Sequence, residues 1–268
     1  NIRKVFFSIK DPDPRSFNKS TFFLNKKKIK VSKNLLSKNI AHFYRSYIKS
    51  KNNNLPFVTS KLALSRDYYT INKKDKWITN EYSRKRGHLL RSIHECLLTS
   101  SQTILNDNPQ LDCRIDGLLE RSPVIAILDN NLKLKPDLKV FKGLKKNKVI
   151  IFYNKINKKK IHTFKKLKIK LLRIPVNSNG DLDLKVVLIN LKKLHFYRIL
   201  LESGPKLTCS FLNENLIDDF YLFISNNKLK KNGCGSLKRF LVPLLKNKKK
   251  NKIKVNLFGD SLISYNLK

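Results

Sequence analysis

Lys61 interrupts an otherwise apolar run, Phe57-Val-Thr-Ser-Lys61-Leu-Ala-Leu64, and a lysine in such a strand needs a partner or an opening to water. On pattern alone, a lysine on the outer side of a half-exposed strand fits the same letters. Further along, Glu202 ends a second apolar run and Ser-Gly204-Pro205-Lys206-Leu207-Thr208-Cys209-Ser210 follows at once. Gly204 lets backbone approach a ligand, Pro205 suits a first helical turn, and the free N–H groups of a helix start bind phosphate. Any helix start can show a Gly-Pro, and Glu202 could serve only as a charge near that N-terminus, worth a few tenths to about 1 kcal/mol. Between these two runs lie Lys76-Trp77-Ile-Thr79, opening a helix that ends near Arg91, then Thr99-Ser-Ser-Gln-Thr103 and Asp107-Asn-Pro109-x-Leu111-x-x-Arg114. Arg91, Arg114 and Arg86 are candidates for a phosphate, since guanidinium pairs with it bidentately. Composition alone would leave each a surface arginine. There is no G-x-G-x-x-G, which argues against an ordinary dinucleotide-binding Rossmann domain.

Strands must present these residues. From Leu55 the pattern alternates: strands are expected at 57–64, 95–99, 124–129, 149–153, 168–174, 198–202 and 220–225, and helices at 80–92, 184–194 and 206–213. Leu184, Val187, Leu188 and Leu191 fall on one helical face. Thr79 is expected to cap the first of these helices, with Glu81 in its first turn. Such alternation implies an α/β fold, a mainly parallel sheet with helices on both faces. Residues 253–258 and 262–267, split by Gly259-Asp260, look like a hairpin that adds antiparallel strands to a mixed sheet. Before Leu55, a buried strand is expected at 4–9, a helical turn at 20–24, a short strand at 29–31, a helix at 35–48 and a polar linker at 51–54.

Composition limits the classes of function. At 268 residues with 41% hydrophobic content, the chain can bury a substantial core despite 29% charged residues. No apolar run approaches the roughly 20 residues of a membrane span. Cys96, Cys113, Cys209 and Cys234 are far apart, without a CxxC pair, and with five scattered histidines they frame neither a zinc site nor a disulfide scaffold. Reduced thiols in a cytoplasmic protein are the expectation. The net charge of +39 raises nucleic-acid binding, but the excess is mostly lysine mixed with asparagine and isoleucine, with no basic stripe interleaved with aromatics. That mix suits an AT-rich genome, and a solvated basic surface that draws in anions is the reading. The runs 26–28, 158–160 and 248–250 are expected in turns or exposed segments.

Taken together, the motifs and their order resemble the reductase half of the bifunctional deaminase/reductase of riboflavin biosynthesis, over nearly the whole of 55–268. The resemblance implies a dihydrofolate-reductase-like fold and NADPH-dependent reduction of 5-amino-6-(5-phosphoribosylamino)uracil to the ribitylamino compound. It sets Lys61 facing the reacting ribosyl group, with Glu202 as its electrostatic counterpart and an acceptor for substrate hydroxyls. It assigns Asp75, Arg91, Leu111, Arg114 and Glu202 to the substrate. Ala63, Trp77, Thr103, Asp107, Asn130 and the loop Gly204, Pro205, Lys206, Leu207, Thr208, Cys209 and Ser210 go to the cofactor. No metal is expected in the step, and the partners implied are the phosphorylated pyrimidine and a second copy in a homodimer. Two departures stand out. The family's Asp-Gly after the first strand is Asp67-Tyr68 here, with a slightly shortened segment before Trp77, and Asn130 replaces a usual serine.

The resemblance also divides the chain into 1–54, the C-terminal part of a cytidine-deaminase-like domain plus linker, and 55–268, the reductase domain. A strand ending in Asp11-Pro12-Asp13-Pro14 carries the first half. The His-x-Glu and Pro-Cys…Cys cluster that would hold zinc and move protons is absent from these residues, so deamination by that mechanism is not expected of them, nor is zinc. With methionine absent and Asn1 first, a piece of a longer polypeptide is expected. The alternatives are another dihydrofolate-reductase-like NADPH reductase, sharing the cofactor loop but not Lys61, Arg91, Arg114 and Glu202, and a basic RNA-binding protein, whose affinity would fall steeply with salt.

Overall fold

The computed structural model describes residues 2–16, 19–142 and 149–268. The N-terminal segment pairs strand β1 (Lys4–Phe6), in parallel, with β2 (Lys30–Ser32), with helices α1 (Lys19–Lys26) and α2 (Ser37–Asn52) between and after them. The expected linker at 51–54 is in part the end of α2, whose C-cap is Asn53. Lys49 Nζ of α2 reaches Asp218 Oδ2 at 2.6 Å, Arg45 pairs with Asp219, and Lys192 Nζ donates to the Ser50 carbonyl at 2.8 Å. Charges, not an apolar seam, fasten this segment: α2 has no fully buried residue.

The rest is built on β3 (Phe57–Leu64), β4 (Tyr69–Asn72), α3 (Glu81–Ser92), β5 (Cys96–Ser100), α4 (Ser101–Asp107), β6 (Val124–Leu128), β7 (Val149–Tyr153), α5 (Lys158–Lys166), β8 (Lys170–Arg173), α6 (Leu184–Lys193), β9 (Arg198–Glu202), α7 (Pro205–Asn213), β10 (Asp219–Ile224), β11 (Gly233–Ser236), α8 (Lys238–Leu245), β12 (Lys249–Lys252) and β13 (Ser261–Asn266). Nine strands form one sheet in the order β12-β13-β10-β3-β9-β5-β6-β7-β8. From β10 to β8 every pairing is parallel; β13 runs antiparallel to both β10 and β12.

Parallel strands covered on both faces read as near-continuous apolar runs, and alternate residues feed two cores. Val58, Leu62, Leu98 and Leu201 join Val187, Leu188 and Leu191 of α6, Phe211 of α7 and Leu241 of α8. Leu97, Ile127, Ile151 and Leu200 join Leu90 of α3, Ile104 of α4 and Phe164 of α5 on the opposite face. Each such leucine removed from water contributes roughly 1.5–3 kcal/mol. The expected mainly parallel sheet with helices on both faces is what forms.

Local details refine or correct the expectations: the buried strand expected at 4–9 is only Lys4–Phe6, with two of its three residues exposed. Asn80, not Thr79, caps α3: its side chain accepts from the Ser83 amide, while Thr79 is buried. The lysine run 158–160 is largely exposed, as expected, and forms the first turn of α5, where Asn157 accepts from the Lys160 amide as its cap. The strand partner of β13 is Lys249–Lys252 rather than 253–258. Phe258 and Gly259 have φ of 48° and 98°, which stops an extended strand, and the carbonyls of Leu257 and Phe258 instead accept from the Asn80 side chain. Finally, β4 and β11 form a separate antiparallel ribbon.

Candidate active site

The carboxyl ends of β3, β9, β5 and β6 lie side by side in the sheet, where open α/β sheets hold their ligands. Lys61 and Glu202 are register partners on β3 and β9. By alternation both point to the face covered by α3, and Lys61 Nζ lies 3.7 Å from Glu202 Oε1. Gly87 on α3 lies over the lysine stem: a Cβ at that position would make ordinary contact with Lys61 Cε, at 3.9 Å.

Arg91, one turn beyond Gly87, completes a three-charge cluster. Its Nε donates to Glu202 Oε2 at 2.9 Å and its Nη2 to Oε1 at 2.8 Å, the bidentate fork geometry. Its Nη1 donates to the Asp112 carbonyl at 2.9 Å. The guanidinium is therefore committed to the protein, with a side chain only 12% exposed. Burial pushes the Glu202 carboxyl up, but Arg91 and then Lys61 overcome it and hold it at about 2. Burial lowers the Lys61 ammonium, against the pull of Glu202. Two cations thus share one carboxylate, leaving excess positive charge at the strand end.

Arg114 behaves differently. Its side chain is 57% exposed, with a 3.4 Å ion pair to Asp112, and its amide donates to His88 Nδ1 at 3.2 Å. Leu111 is buried in the core beneath α3, with φ of 60°.

A second group gathers around two helix starts. Ser100 caps α4 by accepting from the Thr103 amide, and Thr103 Oγ1 accepts from the Gly204 amide at 3.2 Å. The start of α7 is thereby tied to the start of α4. Gly204 has φ of −66°, and an added Cβ would meet only Thr103 Oγ1, at 3.9 Å. Thr208 is buried, while Leu207 and Cys209 pack against the core and leave Lys206 exposed. Asn130, after β6, donates to the Gly180 carbonyl at 2.8 Å, and its Oδ1 is buried without a partner.

The remaining candidates lie toward the rim. Trp77 is 51% exposed, with Arg84 Cζ 4.7 Å from its ring centroid, and its amide donates to Asp75 Oδ1. Asp107 closes α4, and Ala63 packs on the α3-side core two residues past Lys61. Arg86 makes no contact with the cluster of Lys61, Arg91 and Glu202 among those described. His88 and Gly87 carry no motif of their own. Their spacing from Arg91, three and four residues back, is the signal that would have found them.

The departure at Asp67-Tyr68 has a concrete form. Tyr68 takes φ of 69°, the left-handed conformation that glycine adopts freely. Asp67 Oδ1 accepts from Ser65 Oγ at 2.6 Å and the Leu229 amide at 3.0 Å, and Oδ2 from the Lys230 amide at 2.8 Å. The turn keeps the glycine geometry without the glycine.

Residues 56–226 match the model of the RibD C-terminal domain. The chain belongs to that family. The riboflavin biosynthesis protein RibD of Aquifex aeolicus is 28% identical over 84% of this chain and 61% of its own length. The RibD of Escherichia coli is 26% identical over 84% of this chain and 63% of its own. The chain thus spans about three fifths of the length of these RibD relatives. Among solved structures, Acinetobacter baumannii RibD superposes with a TM-score of 0.81 at 22% identity, covering 98% of this chain and 72% of that one. The Thermotoga maritima diaminohydroxyphosphoribosylaminopyrimidine deaminase/5-amino-6-(5-phosphoribosylamino)uracil reductase gives 0.79 at 24%, covering 99% and 71%. These likenesses establish a RibD fold over essentially the whole chain. Among the described residues, no group of three His, Cys, Asp or Glu side chains is placed to hold a metal ion, and no helix is long and apolar enough to cross a membrane.

Proposed function

We propose that the chain reduces 5-amino-6-(5-phosphoribosylamino)uracil to 5-amino-6-(5-phospho-ribitylamino)uracil, with NADPH as reductant, in riboflavin biosynthesis. The observation that carries this reading is the cluster of Lys61, Arg91 and Glu202 at the carboxyl ends of β3 and β9, beside the start of α7 and within the RibD match. When bound, NADPH supplies the hydride that reduces C1′ of the opened ribose. The fit to the cofactor rests on the start of α7: exposed Lys206, the first-turn amides of Lys206 and Leu207, and a Gly204 that no neighbouring atom requires, which leaves approach space for a phosphate.

The chain's own residues then bind and orient. Lys61, an ammonium beside the reacting carbon, can donate toward the nitrogen on which negative charge develops, and which must gain a proton, when C1′ of the opened imine form is reduced. Glu202, kept ionised by Arg91, accepts from sugar hydroxyls on the side away from the guanidinium. Arg114, exposed at the rim, offers its fork to the phosphate. The test is direct: the purified chain, the phosphoribosylamino substrate and NADPH, followed by loss of the reduced nicotinamide absorbance and by a product two hydrogens heavier. NADPH consumption absent with this substrate, or equal with NADH, would defeat the substrate or the cofactor part respectively.

The segment 1–54 is, in this reading, the C-terminal part of a deaminase-like domain. Phe22, Phe23 and Phe43 are 65%, 62% and 77% exposed, an apolar face suited to packing against further deaminase-like elements. Restoring a zinc deaminase segment of a relative in trans should reduce dye binding to this face; unchanged dye binding would count against it.

A further inference from the structure

His88 stands one helical turn before Arg91, so both project from the same side of α3. Its Nδ1 is 3.2 Å from the Arg114 amide nitrogen, 3.1 Å from the Asp112 carbonyl oxygen and 3.5 Å from Arg91 Nη1. A backbone amide can only donate, so the bond from Arg114 uses Nδ1 as acceptor with the ring proton on Nε2; the other tautomer would instead donate Nδ1–H to the Asp112 carbonyl, 3.1 Å away. The Asp112 carbonyl is supplied separately, by Arg91 Nη1. On either side of this contact the loop is pinned: Leu111 and Cys113 are buried, and the Cys113 amide donates to Ser122 Oγ at 3.0 Å. Arg114 then turns its side chain out to 57% exposure, and its amide rests on His88.

We propose that His88 is a positioning residue of the substrate site: its imidazole fixes the Arg114 backbone so that the exposed guanidinium meets an anionic substrate group, while Arg91 stays committed to Glu202. This rests on the reading of the site as one for a phosphorylated substrate. Burial, then the nearby Arg91 and Arg114 guanidiniums, hold His88 below its ordinary pKa, which keeps the accepting, neutral ring at pH 7. Asp112 and Glu202 are the carboxylates that face the same ring region, and neither bonds to it directly.

The experiment compares His88→Leu, which removes the acceptor, with His88→Asn, whose side-chain oxygen can take the place of Nδ1. In His88→Leu, KM for the phosphorylated substrate is expected to rise roughly tenfold, the loss of about one hydrogen bond, and by more than kcat falls. KM for the dephosphorylated substrate should not move, and His88→Asn should recover most of the loss. In parallel, hydrogen exchange at the Arg114 amide of the ligand-free protein is expected to accelerate in His88→Leu and not in His88→Asn. Unchanged Arg114 exchange in His88→Leu, or an equal KM rise with and without the phosphate, overturns the proposal. If the wild-type chain turned over neither substrate, the functional reading would fail, and the exchange measurement would still decide whether His88 holds Arg114.

Discussion

Lys61 and Glu202 are held opposite each other by strand register, with Nζ 3.7 Å from Oε1. At that separation and an effective dielectric near 20, their attraction is about 4 kcal/mol, which favours the ionised pair in a half-buried setting. A lysine placed this way can donate to a substrate nitrogen without losing its counter-charge. Lys61→Ala and Glu202→Gln are each expected to lower kcat on the order of a hundredfold. NADPH affinity, measured by fluorescence titration, should change only about twofold. Wild-type kcat in either variant would remove that residue from the reaction.

The same cluster sets a pH dependence of stability. The Glu202 carboxyl falls from an ordinary 4.5 to about 2 in the folded chain, so the unfolded state binds more protons between these values. The stabilisation is fully present above about pH 4.5 and is lost as pH falls toward 2. Its size is on the order of 3 kcal/mol. Glu202→Gln should flatten this limb, and at pH 7 it should cost about 3–5 kcal/mol, because Arg91 and Lys61 lose their shared partner. Urea midpoints from pH 3 to 7 measure both; parallel curves for wild type and variant would refute the linkage.

How much of this was legible beforehand depended on where each signal is written. Strands β3, β7 and β9 were read to their exact ends because buried parallel strands are apolar runs bounded by polar residues. Strand β12, Lys-Lys-Asn-Lys, sits at a sheet edge where charge protects against further pairing, so its letters look like a solvated turn. Strand β11, Gly-Cys-Gly-Ser, has little strand propensity. It forms because side chains of β4 occupy the space its glycines leave: a Cβ at Gly233 would sit 2.3 Å from the Tyr69 ring, and one at Gly235 2.5 Å from Thr70 Oγ1. The strand-end residues of the site could be chosen from sequence. The commitment of Arg91 to Glu202, which lies 111 positions away, could not, since only the packing of α3 over β9 brings them together.

That commitment separates the two arginines. Arg91→Ala breaks the bidentate pair with Glu202 and is expected to lower kcat with phosphorylated and dephosphorylated substrate alike. Arg114→Ala should raise KM roughly tenfold to a hundredfold, the loss of a charge-assisted partner of about 1.5–3 kcal/mol, and only when the phosphate is present. Steady-state kinetics on the two substrates decide it: identical patterns for both variants would mean that the arginines share one role.

At Asp67-Tyr68 the backbone and the side chains oppose each other. A non-glycine residue in the left-handed region costs roughly 1–2 kcal/mol, while Tyr68 packs against the core. Tyr68→Gly should therefore leave the thermal midpoint within a few degrees of wild type. Tyr68→Val, β-branched at a φ of 69°, should lower it clearly. Asp67→Ala should be worse than Tyr68→Gly, because the Leu229 and Lys230 amides both lose their acceptor. A Tyr68→Gly variant as unstable as Tyr68→Val would show that side-chain packing, not backbone conformation, governs this turn.

The last prediction concerns Asp260, which lies outside the matched span of 56–226 yet holds the helix that carries Arg91. Its Oδ2 accepts from the Asn80 amide at 2.9 Å and from Ser83 Oγ at 2.7 Å. Asn80, in turn, donates from its side chain to the Leu257 and Phe258 carbonyls and accepts from the Ser83 amide as the cap of α3. Cap and loop therefore satisfy each other's polar groups, and neither is complete alone. Removing the carboxylate in Asp260→Ala is expected to cost about 1–3 kcal/mol in urea unfolding, and Asp260→Asn less, since one side-chain oxygen remains. Amide exchange at Ser83 and Arg84, in the first turn of α3, should accelerate in Asp260→Ala, while exchange in α6 on the opposite face of the sheet should not. Faster exchange spread evenly over both helices would indicate general destabilisation, and would deny Asp260 a specific hold on α3.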